Sequence, residues 1–167
     1  MAEKVNSFAP IIPSNPKVLI LGSMPGGLSL EKQEYYGNPR NHFWDILFTL
    51  YSQEKLEDYE DKITFVKRRG IALWDAIGTC SREGSLDSNI VDAEPNNIEG
   101  LLQRFPTIKL IVCNGTKSYQ VFKKYFSLNE LHDVNVVKLP STSPIPGRYN
   151  KTFAGKVEEW KIILEYM

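Results

Sequence analysis

At 167 residues the chain is one domain by size and long enough to bury a proper core. Its 42% apolar, 24% charged and 11% aromatic content is ordinary soluble globular material, and no apolar run approaches the roughly 20 residues of a membrane span. The formal net charge of +0 counts against a protein that grips nucleic acid through many phosphates, because that attraction needs a basic face.

Residues 1 to 16, with Pro10, Pro13 and Pro16, are barred from regular helix and predict an extended lead-in without a signal-peptide core. Val18, Leu19, Ile20 and Leu21 then form an unbroken apolar run, which suits a strand covered on both faces of a parallel sheet. Gly22, Pro25, Gly26 and Gly27 around Ser23 and Met24 turn the chain and let backbone N–H groups approach a ligand, since glycine has no Cβ in the way. Open α/β sheets bind ligands at such loops, on the carboxyl ends of strands. The loop matches neither G-x-G-x-x-G nor a phosphate-cradling pattern, so alone it reads equally well as a plain turn. The next segment is more telling. Tyr35, Tyr36, Gly37, Asn38, Pro39, Arg40, Asn41, His42, Phe43 and Trp44 combine four rings, two amides, a guanidinium and an imidazole. Rings to stack on and amides to read edges are what a nucleobase site needs.

A helix is predicted from about His42 to Tyr51, with Asn41 read as its N-cap ahead of any catalytic role. Residues 56–69 predict a charged helix with Ile63, Phe65 and Val66 inward, ending at Gly70. Ile71 to Trp74 is a second strand with Asp75 at its carboxyl end. Residues 76–97 have no helical period and read as a long loop of the functional or mobile kind, with Arg82 and Glu83 taken as solvated ahead of contacting substrate. Pro95, Asn96 and Asn97 open a helix to about Phe105. A strand from Ile108 to Cys113 ends in Asn114-Gly115, and a helix runs from Lys117 to Tyr125. The fourth strand, Val134 to Leu139, ends in Pro140 to Pro144, and Phe153, Val157, Trp160, Ile163 and Leu164 mark a closing amphipathic helix. Strands alternating with helices predict a three-layer α/β/α sandwich around a central four-stranded parallel sheet. The loops at all four strand ends are then expected to meet on one rim.

That rim has little of the usual catalytic apparatus. His42 and His132 stand far apart, no His/Cys/Asp/Glu group has metal spacing, and no cofactor is expected. There is no G-x-S-x-G elbow, and Ser141 and Ser143 read as hydrogen-bonding loop residues ahead of nucleophiles. Cys80 and Cys113 are too few for a disulfide framework and suit the reducing cytoplasm. Amides, hydroxyls, backbone N–H groups and rings fit reactions driven by positioning and by stabilising a leaving anion. Cleavage of an N-glycosidic bond is one, with its oxocarbenium-like transition state. Asn114 has two readings, turn former or base reader. In the second, hypoxanthine and uracil each present a ring N–H beside a C=O, which one amide matches. Adenine and cytosine present the reverse pattern and leave polar groups unpaired, at roughly 1–3 kcal/mol each.

The ordered set LGSMPGGLSLEKQEYYGNPRNHFW, GIALWDAIGTCSREGSLDSNI, CNG and LPSTSP, spread over roughly residues 10 to 145, resembles the hypoxanthine-DNA glycosylase (deoxyinosine glycosylase) branch of the uracil-DNA glycosylase superfamily. The resemblance implies one uracil-DNA glycosylase-like domain over residues 1–167, cofactor-free, that removes hypoxanthine and also uracil from DNA; a monomer is the default expectation. In superfamily members with a G-[IL]-N-P-G first motif the Asn places the attacking water. Ser23 holds that catalytic position here, so the resemblance moves the amide into YYGNPRN, with Asn38 first and Asn41 second. It also implies a base pocket of Gly22, Met24, Pro25 and Asn114, stacking by Tyr35, Tyr36 or Phe43, and backbone phosphates held by Ser141, Thr142, Ser143 and Arg148. Lys32, Arg40, Lys117 and Lys151 complete a local basic footprint, consistent with modest affinity for DNA. Where family members have Ala-Asn after PSTSP, this chain has Ile145-Pro146, a departure in the strand-wedging part of that loop. Two other readings stand beside this one. The first is a catalytically inert nucleotide or nucleic-acid binder of the same fold that lost its water-placing group. The second is a small-molecule hydrolase with a Ser141 or Ser143 nucleophile.

Overall fold

Four short strands, three of them almost wholly apolar, build the centre of the molecule. The computed structural model describes residues 3–126, 133–144 and 151–167. In it Val18–Gly22 (β2), Ile71–Asp75 (β3), Leu110–Asn114 (β6) and Asn135–Leu139 (β7) pair in parallel, in the order β3-β2-β6-β7. Every residue of β2 is buried, which is why its sequence is continuously apolar rather than alternating. The register sets Gly22 against Asp75 and Asn114 against Leu139, so the four carboxyl ends are level.

Alternation along β2 divides the interior into two layers. Val18 and Ile20 point into one cluster with Phe43, Ile46 and Leu47 of Phe43–Leu50 (α2), Phe65 and Val66 of Tyr59–Arg68 (α3), and Trp160 of Phe153–Trp160 (α6). Leu19 and Leu21 point the other way, onto Ile98 and Leu101 of Ile98–Arg104 (α4) and Phe122 of Thr116–Tyr125 (α5). Each such side chain taken wholly out of water contributes about 1.5–3 kcal/mol. The expected three-layer sandwich is therefore present, with helix ends within a few residues of those predicted. None of the described helices is long and apolar enough to cross a membrane.

Polar residues stop and start these elements. Asp58, Asn97 and Thr152 accept the N–H groups of Glu60, Gly100 and Gly155 at the starts of α3, α4 and α6. Gly70, at φ +71°, reverses the chain between α3 and β3 in the left-handed region that glycine tolerates. Asn97→Ala is expected to lower stability by about 1 kcal/mol, read as a shifted urea midpoint with an unchanged slope.

Four parts differ from the sequence expectation. The lead-in is not merely extended: Glu3–Asn6 (β1) pairs antiparallel with Ile77–Arg82 (β4). Residues 76–97 are not an element-free loop. They form a hairpin of β4 and Val91–Pro95 (β5), giving a second sheet in the order β1-β4-β5. Register shifts at Thr79 break the period-two pattern of β4, and β5 is mostly exposed, so neither strand carries clean hydrophobic alternation. The Gly-rich loop also runs into a short helix, Gly27–Lys32 (α1), and the closing helix tightens to a 3-10 turn over Lys161–Tyr166.

Candidate active site

The four level strand ends open into one cavity of about 480 Å³, within the roughly 300–1,000 Å³ typical of small-ligand sites. Gly22 of β2, Asp75 of β3, Asn114 of β6 and the segment Ser141 to Pro144 after β7 all line it. Ser23 to Ser29, Tyr35, Tyr36, Asn38 and Asn41 form one side, and Ser85 to Ser88 from the tip of the β4–β5 hairpin close the other.

The hairpin tip anchors the Gly-rich loop. Ser23 Oγ donates to Asp87 Oδ1 at 2.7 Å, and the Gly27 N–H donates to Ser85 Oγ at 2.8 Å. Arg82 is not solvated: it is buried and its Nη2 donates to the Pro25 carbonyl. A Cβ on Gly22 would stand 2.5 Å from Asp75 Oδ1, so only glycine admits the carboxyl there. Gly22→Ala is therefore expected to push Asp75 aside at a cost of about 1–3 kcal/mol, measurable as a lowered melting temperature.

The aromatic wall is built in two plies. Tyr36 has φ 54°, a left-handed conformation that costs a non-glycine residue about 1–2 kcal/mol. There its ring stacks on Phe43, 3.8 Å between centroids and 17° between planes. Phe43 itself is wholly buried and does not face the cavity; it backs Tyr36 and abuts Trp44 and Trp160 edge-on. Tyr35 lines the cavity, but its hydroxyl is committed to the Ala9 carbonyl at 2.8 Å. Burial, reinforced by the charge of Asp75, raises the pKa of both phenols, so they remain neutral donors. Phe8, edge-on to Tyr35 at 5.3 Å, is a further lining ring.

The amides are oriented rather than loose. Asn38 Oδ1 accepts the Arg40 N–H at 2.9 Å, a local turn that aims the half-buried side chain along the cavity edge. Asn41 Oδ1 accepts the Phe43 N–H at 2.9 Å from one position before His42, which, and not Asn41, is the cap residue of α2. Asn114 meets Thr142 twice, accepting its N–H and donating to its Oγ1, both at 3.0 Å, with Tyr36 Oη 3.4 Å from Nδ2. One lone pair of Asn114 Oδ1 is thereby used and the other is left to a ligand.

Thr142 is held from several sides at 1% exposure. Its carbonyl accepts the His42 N–H at 3.0 Å, and the Pro140 carbonyl accepts Trp160 Nε1 at 3.0 Å. The buried Lys156 reaches the Ser143 carbonyl at 3.4 Å and His42 Nδ1 at 3.3 Å, and desolvation lowers its pKa. Ser141, Thr142 and Ser143 thus share the cavity with Asn38 and Asn114, whereas Arg148, Ile145, Pro146 and His132 lie outside the described residues. Of the basic footprint, Lys32 donates to the Gly37 carbonyl and Lys151 pairs with Glu159.

The sequence pattern of the uracil DNA glycosylase superfamily matches residues 9–163. The chain belongs to the uracil DNA glycosylase superfamily. A Methanosarcina acetivorans protein named hypoxanthine DNA glycosylase is 37% identical over 161 residues, covering 95% of this chain and 97% of its own length. A Methanosarcina barkeri protein of the same name is 39% identical over 116 residues, 69% of this chain and 73% of that one. The solution NMR structure of a candidate uracil DNA glycosylase from Methanosarcina acetivorans superposes with a TM-score of 0.81 at 34% identity, over 96% of both chains.

The residue of this glycosylase that sequence reading passed over is Asp75. It is 4% exposed and lines the cavity, and its Oδ2 is buried without a hydrogen-bond partner among the described residues. Burial above all, then the negative charge of Asp87, pushes its carboxyl up to about 7, against the pull of Arg82. The only signal available in sequence was its place at a strand's carboxyl end. The charges that act on it, Asp87 and Arg82, arrive on the hairpin that had no readable periodicity.

Proposed function

We propose that this protein is a monofunctional DNA glycosylase that hydrolyses the N-glycosidic bond of hypoxanthine in DNA, with uracil as a second substrate, in base excision repair. The observation that carries the reading is the single cavity where Asn38, Asn114, Tyr36 and the loop Ser141 to Pro144 meet at the strand ends. The names of the two relatives at 37% and 39% identity support it.

In this reading the damaged nucleotide leaves the stack and its base lies against Tyr36, whose ring is fixed from behind by Phe43. The remaining lone pair of Asn114 Oδ1 accepts the ring N–H that deaminated bases present, and the rigid tie to Thr142 keeps that amide from turning to suit adenine. Asn38 orients water for attack on C1′ without being a strong base. The Ser141–Ser143 loop takes the flanking phosphates. Flipping costs a few kcal/mol and least at mispairs or in single strands, so those sites are cut fastest. One domain suffices, working as a monomer in the reducing cytoplasm, a setting supported by two buried, unpaired thiols, Cys80 and Cys113.

The test is an oligonucleotide carrying one deoxyinosine, incubated with protein and then alkali. Strand scission at that nucleotide is expected. No scission there and none at deoxyuridine removes the reading, and a gel shift without scission would mark the inert binder instead.

A further inference from the structure

We propose that Asp75 is the acid of this site, passing its carboxyl proton to N7 of the departing purine as the bond between C1′ and N9 breaks. This rests on the hypoxanthine glycosylase reading above and goes beyond it, because positioning by amides alone leaves the base to depart as an anion. The placement of Asp75 carries the argument. It ends β3 next to Gly22, its carboxyl drawn so close to the glycine backbone that no Cβ fits between them, and it lines the cavity in which the base would lie. Its Oδ2 is buried and meets no donor among the described residues. An ionised carboxylate left so is costly, whereas the neutral acid keeps one O–H to offer to a ligand.

The surrounding groups leave that proton in place. Arg82 of β4 gives Nη2 to the Pro25 carbonyl, keeps Nε and Nη1 buried without a partner among the described residues, and makes no ion pair with Asp75; its pull on the carboxyl is weaker than burial and the charge of Asp87. Asp87, on the hairpin turn, accepts from Ser23 and adds negative charge that disfavours ionising a second carboxylate. Tyr35 and Tyr36, from the segment before α2, are neutral phenols. The resulting carboxyl, at about 7, is half protonated near neutral pH, where an acid that must both hold and release a proton works best.

The step balances with water alone. The electron pair of the C1′–N9 bond goes to the base, N7 takes the proton from Asp75, and hypoxanthine leaves neutral. The oxygen of water bonds to C1′, and the proton it sheds returns Asp75 to its acid form.

The test is single-turnover excision from a single-stranded deoxyinosine oligonucleotide, from about pH 5.5 to about pH 9, with wild type and Asp75→Asn, which keeps the shape but has no proton to give. Wild type is expected to slow tenfold per pH unit above about 7. Asp75→Asn, folded by its melting curve and binding the oligonucleotide as wild type does, is expected to be roughly 10²–10⁴-fold slower and to lose that limb. An Asp75→Asn enzyme that keeps the wild-type rate, or keeps the limb, overturns the proposal. A wild-type profile that stays flat through neutral pH overturns it without reference to any variant. Wild type that cuts at no pH instead defeats the glycosylase reading itself.

Discussion

Asn38→Ala is expected to slow excision at deoxyinosine by about 10²–10³-fold, the loss seen when one oriented polar group is removed from a transition state. The effect should appear in kcat, with binding of the damaged strand little changed, because the amide acts on water rather than on the base. The same substitution gives up one turn hydrogen bond, to the Arg40 N–H, and costs only about 0.5–1.5 kcal/mol of stability. Asn41→Ala is the informative partner. Its amide accepts the Phe43 N–H at the start of α2, so its loss is expected to cost about 1 kcal/mol through the helix and to spare the chemical step. Full activity in Asn38→Ala together with collapse in Asn41→Ala would exchange the two roles. Single-turnover rates and urea midpoints measured on both variants separate these outcomes.

The second large effect concerns stability. The Asp75 carboxyl sits at about 7 in the folded protein against 3.8 in a free chain. Folded protein therefore holds this proton more tightly than unfolded protein, and stability falls as pH rises between those two values. Below about 3.8 the group is neutral in both states and nothing is lost; above about 7 it is charged in both and the loss is complete. At about 1.4 kcal/mol per pH unit the window amounts to about 4 kcal/mol. Asp75→Asn has no proton to lose. Its stability relative to wild type should accordingly rise by about 4 kcal/mol between pH 4 and pH 8, whatever constant offset the new amide brings. Urea unfolding of both proteins at the two pH values checks this, and an unchanging difference would show that Asp75 is ionised in the fold at acid pH as well. A site that destabilises its own protein at working pH is what a buried catalytic acid entails.

The central sheet was readable because burial on both faces leaves a local mark. Val18 to Leu21 is apolar without interruption, and such a run admits few other placements. The segment Tyr35 to Trp44 was readable as a candidate site by composition, although Tyr35, Phe43 and Trp44 also belong to the core. The hairpin was not readable. Thr79 sits where the register shifts, Val91 and Glu94 face solvent, and the pairing partner of β4 includes residues some seventy positions away in β1. Phe43 has a related history: the resemblance offered it beside Tyr35 and Tyr36 as a stacking ring, but only the turn at Tyr36 decides which ring faces the cavity and which supports it from behind.

What the chain determines by itself, then, is its strands, its helices and the chemical types gathered on the rim, because these follow from periodicity and propensity within short windows. Tertiary structure decided which groups are oriented and which are charged. Asn114 is aimed by Thr142, twenty-eight residues on, and Asp75 holds its proton because it is buried beside Gly22 and the charge of Asp87, on the hairpin turn, opposes its ionisation. Orientation and desolvation are properties of neighbours in space, and nothing in a residue's own stretch of sequence records them.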